Sequence, residues 1–184
     1  MGKIISFLFI SVVFVGLIGC GGSKPEGARA LTDDSLFTLV QHNTFQYFWK
    51  GAEPVSGAAC ERIHLDNDYP DNDKSVVTSG GTGFGIMAIL VGIERGFITR
   101  QEGVAHLTKL THWLEKADRF HGAWPHWMYG ETGKVKPFSA NDNGGDLVET
   151  AYLVQGLLCA RQYFKDGTAE EQALAQKIDT LWRG

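Results

Sequence analysis

Three carboxylates lie close together in the segment NDNGGDLVET, residues 141–150 of this 184-residue chain. Asp142 precedes an Asn-Gly-Gly turn signal, Asp146 stands where an apolar helix is predicted to begin, and Glu149 follows one turn later. Residues three and four positions apart lie on one side of a helix, so Asp146 and Glu149 point the same way, and Asp142 can fold back towards them. Acids this close disfavour one another's negative charge. The trio can therefore supply one protonated and one ionised group for acid and base catalysis.

A purely structural role explains part of the same pattern. Asp146 is a good helix N-cap, Glu149 can be its capping-box partner, and the helix dipole favours acids in the first turn. A capping box needs two side chains, however, and it requires neither Asp142 nor the Gly-Gly turn. We therefore expect Asp146 and Glu149 both to cap the helix and to serve a site together with Asp142.

An aromatic loop precedes the acids. Its segment FHGAWPHWMY, residues 120–129, holds two tryptophans, one tyrosine and two histidines. Sugars pack their flat C–H faces on aromatic rings and need polar partners for their hydroxyl groups, so tryptophan beside carboxylates is typical of a glycan site. Hydrolysis of a glycosidic bond also needs one protonated carboxyl group and one carboxylate. The alternative is that these rings fill the core of the fold.

Other classes of function have little support in the sequence. The net charge is −4 and no basic run is present, which gives no reason to expect nucleic acid as a partner. The six histidines lack zinc spacing, and the glycines of residues 80–85 match neither dinucleotide-binding nor phosphate-binding loops.

Apolar periodicity and capping signals predict five helices. The first, second and fourth cover residues 35–49, 83–95 and 146–164. The third begins at residue 99 and the fifth at residue 168. Capping boxes at Thr99–Glu102 and Thr168–Glu171 mark the third and the fifth helix. The second and fourth are apolar nearly all round, and such a helix must be covered on all sides. The simplest arrangement is two layers with the apolar helices inside, which predicts an all-α toroid of stacked helical hairpins.

Two long loops, residues 51–81 and 120–145, each precede an apolar helix of the inner type. Both loops are therefore expected at the same end of the toroid, over the N-termini of the inner helices. Long loops in compact domains are often functional. Glu61 and Arg62 lie in the first loop and can reach the same site as the acids.

The N-terminus has the pattern of an export signal. Lys3 precedes an apolar run at residues 4–18, and Gly19 and Cys20 complete a lipobox. We expect a signal peptide over residues 1–19, a lipidated tether over residues 20–30 and a folded domain over residues 31–184. Lipid on Cys20 would anchor the protein in a membrane, facing the periplasm or the cell surface. An ordinary signal peptide with an incidental cysteine is the alternative.

Two cysteines remain in the folded domain. An exported protein can form disulfides, and Cys60 and Cys159 are the available pair. Cys159 falls in the predicted core of a helix, so we expect two buried free thiols rather than a bridge.

Six segments in combination carry a family resemblance: TFQYFW (44–49), PVSG (54–57), VTSGGTGFG (77–85), ERGFITR (94–100), KADRFHGAWPHW (116–127) and GGDLVET (144–150). They resemble the glycoamylase-like domain family, the bacterial β-1,2-glucanases of glycoside hydrolase family 144. The resemblance implies an (α/α)6 toroid that cuts β-1,2-glucan by an inverting route without a metal or an organic cofactor. The resemblance implies catalytic roles for Asp142, Asp146 and Glu149. It implies substrate binding by four further residues, which are Trp124, His126, Trp127 and Arg62.

The family domain is more than twice as long as this chain, and residues 63–74 look like a longer, more acidic insert. We therefore expect the N-terminal part of such a domain, an incomplete and truncated toroid, and the resemblance leaves open whether it is active by itself. The protein is predicted to be an exported glycoside hydrolase that cleaves a β-glucan. The resemblance implies that this glucan is β-1,2-linked. The alternative is a surface lipoprotein that binds glycans without cleaving them.

Overall fold

Helices dominate the described part of the chain. A computed structural model describes residues 31–69 and 73–183. Its five helices are α1 Asp33–Trp49, α2 Ser79–Glu94, α3 Arg100–Leu114, α4 Leu147–Phe164 and α5 Ala169–Arg183, and its three short strands are β1 Val76–Thr78, β2 Trp127–Tyr129 and β3 Val135–Lys136. The predicted helical class is confirmed. The predicted signal peptide, Cys20 and the tether lie outside the described residues.

Local capping fixes two of the helix starts as predicted. In α3 the Thr99 hydroxyl accepts from the Glu102 amide, and the Glu102 carboxylate accepts from the Thr99 amide at 2.8 Å. In α5 the Thr168 amide donates to Glu171 at 2.6 Å, and the Glu171 amide donates back to the Thr168 hydroxyl at 3.4 Å. Each box satisfies amide groups that a helix leaves without partners in its first turn.

Helix α2 begins one turn earlier than its sequence predicts, at Ser79 instead of Gly83. Its glycines allow α4 to approach closely. A Cβ on Gly83 would lie 2.1 Å from the carbonyl oxygen of Tyr152, and a Cβ on Gly156 would lie 2.3 Å from the carbonyl oxygen of Gly83. Only glycine permits two helix backbones to meet at this distance, so α2 and α4 form a tightly joined pair.

The core lies between this helix pair and the amphipathic helices α3 and α5. Leu107, Leu110 and Leu114 of α3 are almost fully buried against it, as are Leu174 and Ile178 of α5. Large aliphatic residues recur on one face of each of these two helices, so periodicity alone places them correctly.

Phe45 is the one buried residue of helix α1. Phe45 packs on α2, where a Cβ on Gly92 would lie 2.5 Å from its ring, and against Phe97 at a centroid distance of 5.7 Å. Phe37 and Val40 of α1 are more than half exposed. Within the described residues, α1 therefore buries less apolar surface than its composition suggests.

The inner helices are also incompletely covered, as expected of an incomplete toroid. Leu147 and Val148 of α4 are 78% and 64% exposed, and Phe84 of α2 is about half exposed. Cys159 is exposed as well, so the predicted burial of this thiol is wrong, although both cysteines are free as expected. An apolar face this open is unusual for a monomer and is expected where further helices of a toroid would pack.

The two long loops meet in a small sheet that the sequence does not predict. Its order is β1-β2-β3, with antiparallel pairing of Thr78 to Trp127 and of Trp127 to Lys136. The amide of Ser79, at the start of α2, donates to the carbonyl of His126 at 3.2 Å. Both loops thus lie at the N-terminal ends of α2 and α4, as predicted. No helix among the described residues is both long and apolar enough to span a membrane.

Candidate active site

Asp146 is fixed at the N-terminus of α4 by its own capping bonds. Its Oδ1 accepts from the amides of Val148 and Glu149 at 2.8 and 2.9 Å. Its backbone amide donates to the carbonyl of Trp124 at 2.9 Å. The predicted capping role is confirmed, and Oδ2 is left to face the loops.

Glu149 does not complete the capping box. Its Oε2 instead accepts from the hydroxyl of Thr78 at 3.0 Å and from the amide of Gly80 at 2.9 Å. A Cβ on Gly80 would lie 2.6 Å from this oxygen, so glycine is required for the contact. Capping is therefore present at Asp146 and absent at Glu149, whose carboxylate connects α4 to the start of α2.

His126 lies between the other two acids. Its Nδ1 is 3.4 Å from Oδ2 of Asp142 and 3.5 Å from Oδ2 of Asp146. Its ring stacks on Phe138 with a centroid distance of 4.4 Å and an angle of 7°. A protonated imidazole in this position can pair with both carboxylates. His126, which was expected as a substrate-binding residue, thus also contacts two of the acids.

These three side chains also have a spacing that could hold a cation. One ligand atom from each of His126, Asp142 and Asp146 lies within 4.8 Å of the others. All three are partly exposed, and exposed acids commonly group in this way without a metal. Nothing else in residues 31–69 and 73–183 points to an ion here, and we assign none.

Trp124 is the one site prediction that the structure contradicts. Its side chain is fully buried, its indole Nε1 donates to the carbonyl of Leu114 at 3.3 Å, and the Arg119 guanidinium lies 4.0 Å from its ring centroid. A ring enclosed in this way cannot stack on a sugar. Its backbone nevertheless shapes the site, because its amide and carbonyl bond the Thr150 hydroxyl in the first turn of α4.

Trp127 is partly exposed and belongs to an aromatic cluster beside the acids. Its ring lies 5.7 Å from that of His126 and 4.7 Å from that of Phe138, and the Lys136 ammonium is 4.6 Å from its centroid. Phe138 is about half exposed, and sequence reasoning missed it. The signal available was its place in the loop between the tryptophans and the acids.

Arg62 lines a cavity together with Trp127. Its guanidinium pairs with Glu61, and its Nε is 3.4 Å from Oδ2 of Asp73. Arg62, Asp73 and Trp127 line the same cavity. The structure thus brings Arg62 near one predicted sugar-binding residue.

The buried cysteine nearby is not a catalytic nucleophile. Burial raises the pKa of the Cys60 thiol to about 11, and the negative charge of Glu53 acts in the same direction. A thiol with this pKa stays protonated near neutral pH, whereas the thiolate is the nucleophilic form. The Cys60 thiol is therefore not a candidate for the chemistry at this end of the molecule.

Comparisons with known proteins found similar proteins for part of their length. No family model matches the chain. The chain is 53% identical over 154 residues to an exo-β-1,2-glucooligosaccharide sophorohydrolase (non-reducing end) of Parabacteroides distasonis, a match that covers 83% of this chain and 20% of that protein.

Solved structures show the same relationship. An endo-β-1,2-glucanase from Chitinophaga pinensis, in complex with sophorotriose and glucose, is 67% identical with a TM-score of 0.82; the match covers 83% of this chain and 37% of that one. A Bacteroides fragilis protein named as a glucoamylase is 59% identical with a TM-score of 0.83, over 87% of this chain and 38% of that one. The chain therefore spans between a fifth and two fifths of these relatives. Over this part of their length it is similar to glucoamylase-like proteins and β-1,2-glucanases, and its fold is part of their (α/α)6 toroid.

Proposed function

We propose that this chain carries part of the active site of a glycoside hydrolase that cleaves β-1,2-glucan. The observation that carries the proposal is the convergence of Asp142, Asp146 and Glu149 at one end of the fold, beside the partly exposed Trp127. The 67% identity and the TM-score of 0.82 to a β-1,2-glucanase bound to sophorotriose support the choice of substrate. No metal or organic cofactor is required in this proposal.

The spacing of the acids suggests how they divide the reaction. Inverting glycosidases hold their two carboxyl groups about 6.5–9.5 Å apart, so that a water molecule fits opposite the leaving group. The nearest oxygens of Asp142 and Asp146 are within 4.8 Å, which is too close for that arrangement. We assign these two acids, with His126, to one side of the scissile bond, where one of them protonates the leaving oxygen.

Glu149 is then the candidate for the opposite role. The Thr78 hydroxyl donates to its Oε2 at 3.0 Å. A hydroxyl can accept a proton from water while it passes its own proton on, so Thr78 can connect an attacking water to the Glu149 carboxylate. The product of such a displacement has the inverted anomeric configuration.

The substrate assignment is tested in a barrel chimera. In this chimera, residues 31–183 replace the matching part of the Chitinophaga pinensis glucanase, because the chain alone spans only 37% of that protein. New reducing ends are measured with linear β-1,2-, β-1,3- and β-1,4-glucans. Release from the β-1,2-glucan alone supports the proposal, and equal release from all three, or from none, contradicts it.

A glycan-binding protein without catalysis is the second candidate. The partly exposed aromatic cluster of Trp127 and Phe138 is sufficient for such a role. Affinity of the chimera for β-1,2-glucan without any product after long incubation, with affinity lost in Trp127→Ala and kept in Asp146→Asn, would favour it.

We also propose that the protein is exported and anchored through lipid on Cys20. Support comes from the lipobox pattern alone. Palmitate labelling of the full chain in a bacterial host should mark the wild type and not Cys20→Ser, and the variant should leave the membrane fraction. Unchanged labelling would contradict the proposal.

A further inference from the structure

Asp142 is held in place differently from the other two acids. Asp146 caps α4 through its Oδ1, and Glu149 belongs to the first turn of that helix. Asp142 instead closes a tight turn over residues 139–142, in which its backbone amide donates to the carbonyl at the start of the turn at 3.2 Å. The first three residues of this turn are exposed. The position of the Asp142 carboxylate therefore depends on what attaches the turn to the rest of the protein.

Phe138 is joined to this turn by its backbone. Its amide donates to the carbonyl of Asp142 at 2.9 Å. The ring of Phe138 and the carboxylate of Asp142 thus belong to one small unit, and a contact that holds the ring also holds the acid.

His126 contacts this unit at two points. Its ring stacks on that of Phe138, with the centroids 4.4 Å apart and an angle of 7° between the planes, and its Nδ1 lies 3.4 Å from Oδ2 of Asp142. The backbone of His126 is itself fixed, because its carbonyl accepts from the amide of Ser79 at the start of α2 at 3.2 Å. Through His126 the turn is attached to the helical part of the fold.

The stack also decides where the imidazole points. Both nitrogens lie in the plane of the ring, so a partner that fixes this plane fixes the direction of Nδ1. In the plane that Phe138 sets, Nδ1 lies 3.4 Å from Oδ2 of Asp142 and 3.5 Å from Oδ2 of Asp146. A stacked aromatic pair contributes free energy beyond the burial of its area, and this contribution favours the observed orientation over others.

We propose that Phe138 is a positioning residue for the hydrolysis. Its ring holds His126 and the turn together, and so keeps the carboxylate of Asp142 beside that of Asp146. Phe138 acts on the reaction through these side chains and not by contact with the reacting atoms. The role in catalysis rests on the proposed function, whereas the role in ordering the turn rests on the contacts alone.

The order of the turn is measured by nitrogen relaxation NMR with the labelled chain itself. Phe138→Leu keeps an apolar side chain and removes the flat ring. We expect the heteronuclear NOE of the amides of residues 139–142 to fall in this variant. The amide of Asp146, which donates to the carbonyl of Trp124 at 2.9 Å, should keep its wild-type value. Phe138→Tyr should restore the order of the turn, because tyrosine keeps the ring.

Phe84→Leu is the matched control for this measurement. Phe84 is also about half exposed, and its ring packs on that of Tyr152 at a centroid distance of 5.3 Å instead of on His126. This variant should leave the turn as ordered as in the wild type. If the turn is just as ordered in Phe138→Leu, another contact holds it and the inference is wrong.

Steady-state kinetics of the barrel chimera with β-1,2-glucan test the consequence for the reaction. We expect kcat to fall about tenfold in Phe138→Leu, the fold-change that corresponds to the loss of one aromatic pair. KM should stay within about twofold of the wild type, because the loss concerns the transition state and not substrate binding. Phe138→Tyr should restore kcat, and Asp68→Asn, which changes an exposed acid of the first long loop, should leave it unchanged.

A raised KM with an unchanged kcat in Phe138→Leu would mean that this ring binds sugar, and the inference would be wrong while the proposed function stands. If the wild-type chimera releases no product, the proposed function fails. The order of the turn in the chain itself then decides alone whether Phe138 positions Asp142.

Discussion

Replacing Gly156 by alanine tests the contact between α2 and α4 that organises the site. The new Cβ would lie 2.3 Å from the carbonyl oxygen of Gly83 and 2.9 Å from its carbonyl carbon. Comfortable contacts between heavy atoms are about 3.5 Å, so the helices must separate by about 1 Å. The obstacle is backbone, and no change of side-chain rotamer relieves it.

The expected cost combines two opposing effects. Overpacking in a core costs about 1–3 kcal/mol, and a contact with rigid backbone belongs at the upper end of that range. Alanine in place of glycine inside a helix stabilises the helix by about 1 kcal/mol, which offsets part of this cost. The net loss is about 2 kcal/mol, and for a domain of this size it should lower the melting temperature by about 4–8 °C.

Thermal unfolding followed by far-ultraviolet circular dichroism measures this shift. Gly103→Ala in α3 is the matched control, because its Cβ would meet Cδ1 of Ile93 at 2.5 Å, the mobile end of a side chain. That variant should stay within about 1 kcal/mol of the wild type. If Gly156→Ala melts at or above the wild-type temperature, the close approach of α2 and α4 is wrong.

Three further outcomes are expected. A maleimide reagent should label Cys159 rapidly in the native chain, while Cys60 reacts only after unfolding, because it is buried and its pKa is raised; equal rates would contradict the burial pattern. Burial lowers the pKa of His106, whose Nε2 contacts the Gly57 carbonyl at 2.9 Å. The unfolded state therefore binds the proton more readily, and stability should be full above about pH 6.5 and decline as the pH falls towards the lowered pKa. His106→Gln should flatten the profile of melting temperature against pH, His112→Gln on the same helix should leave it unchanged, and a profile that is flat in the wild type would refute the assignment. With the barrel chimera, NMR should show the α anomer first among newly released reducing ends, since the attack on a β-linkage inverts its configuration; the β anomer first would exclude that route.

Local patterns predicted much of the fold because the forces that set them act within a few residues. The capping boxes at Thr99 and Thr168 depend on neighbours three positions away, and the stripes of α3 and α5 depend on helical periodicity. The placement of both long loops at one end followed from the order of the helices. These features needed no knowledge of distant contacts.

Features that depend on distant partners were missed. A strand of three residues such as β1 has no sequence signal of its own and forms because it pairs with β2, some fifty residues later. Glu149 looked like a capping partner, yet Thr78 and Gly80 offered it hydrogen bonds from another helix.

The two tryptophans of the aromatic loop, Trp124 and Trp127, lie in different environments. Trp124 is buried under Arg119, whereas Trp127 stands in a short strand beside the acids. No local rule separates the two rings, because the enclosure of Trp124 depends on distant contacts with Leu114 of α3 and Thr150 of α4.

The most direct test of the account is the rate at which the barrel chimera releases reducing ends from β-1,2-glucan when each acid is changed. Asp142→Asn, Asp146→Asn and Glu149→Gln keep the size of the side chain, and loss of an acid or base typically slows catalysis by about 10²–10⁴-fold. We predict losses of that order, with Asp68→Asn unchanged. If the three variants keep full activity while the wild-type chimera is active, the site is not where hydrolysis takes place.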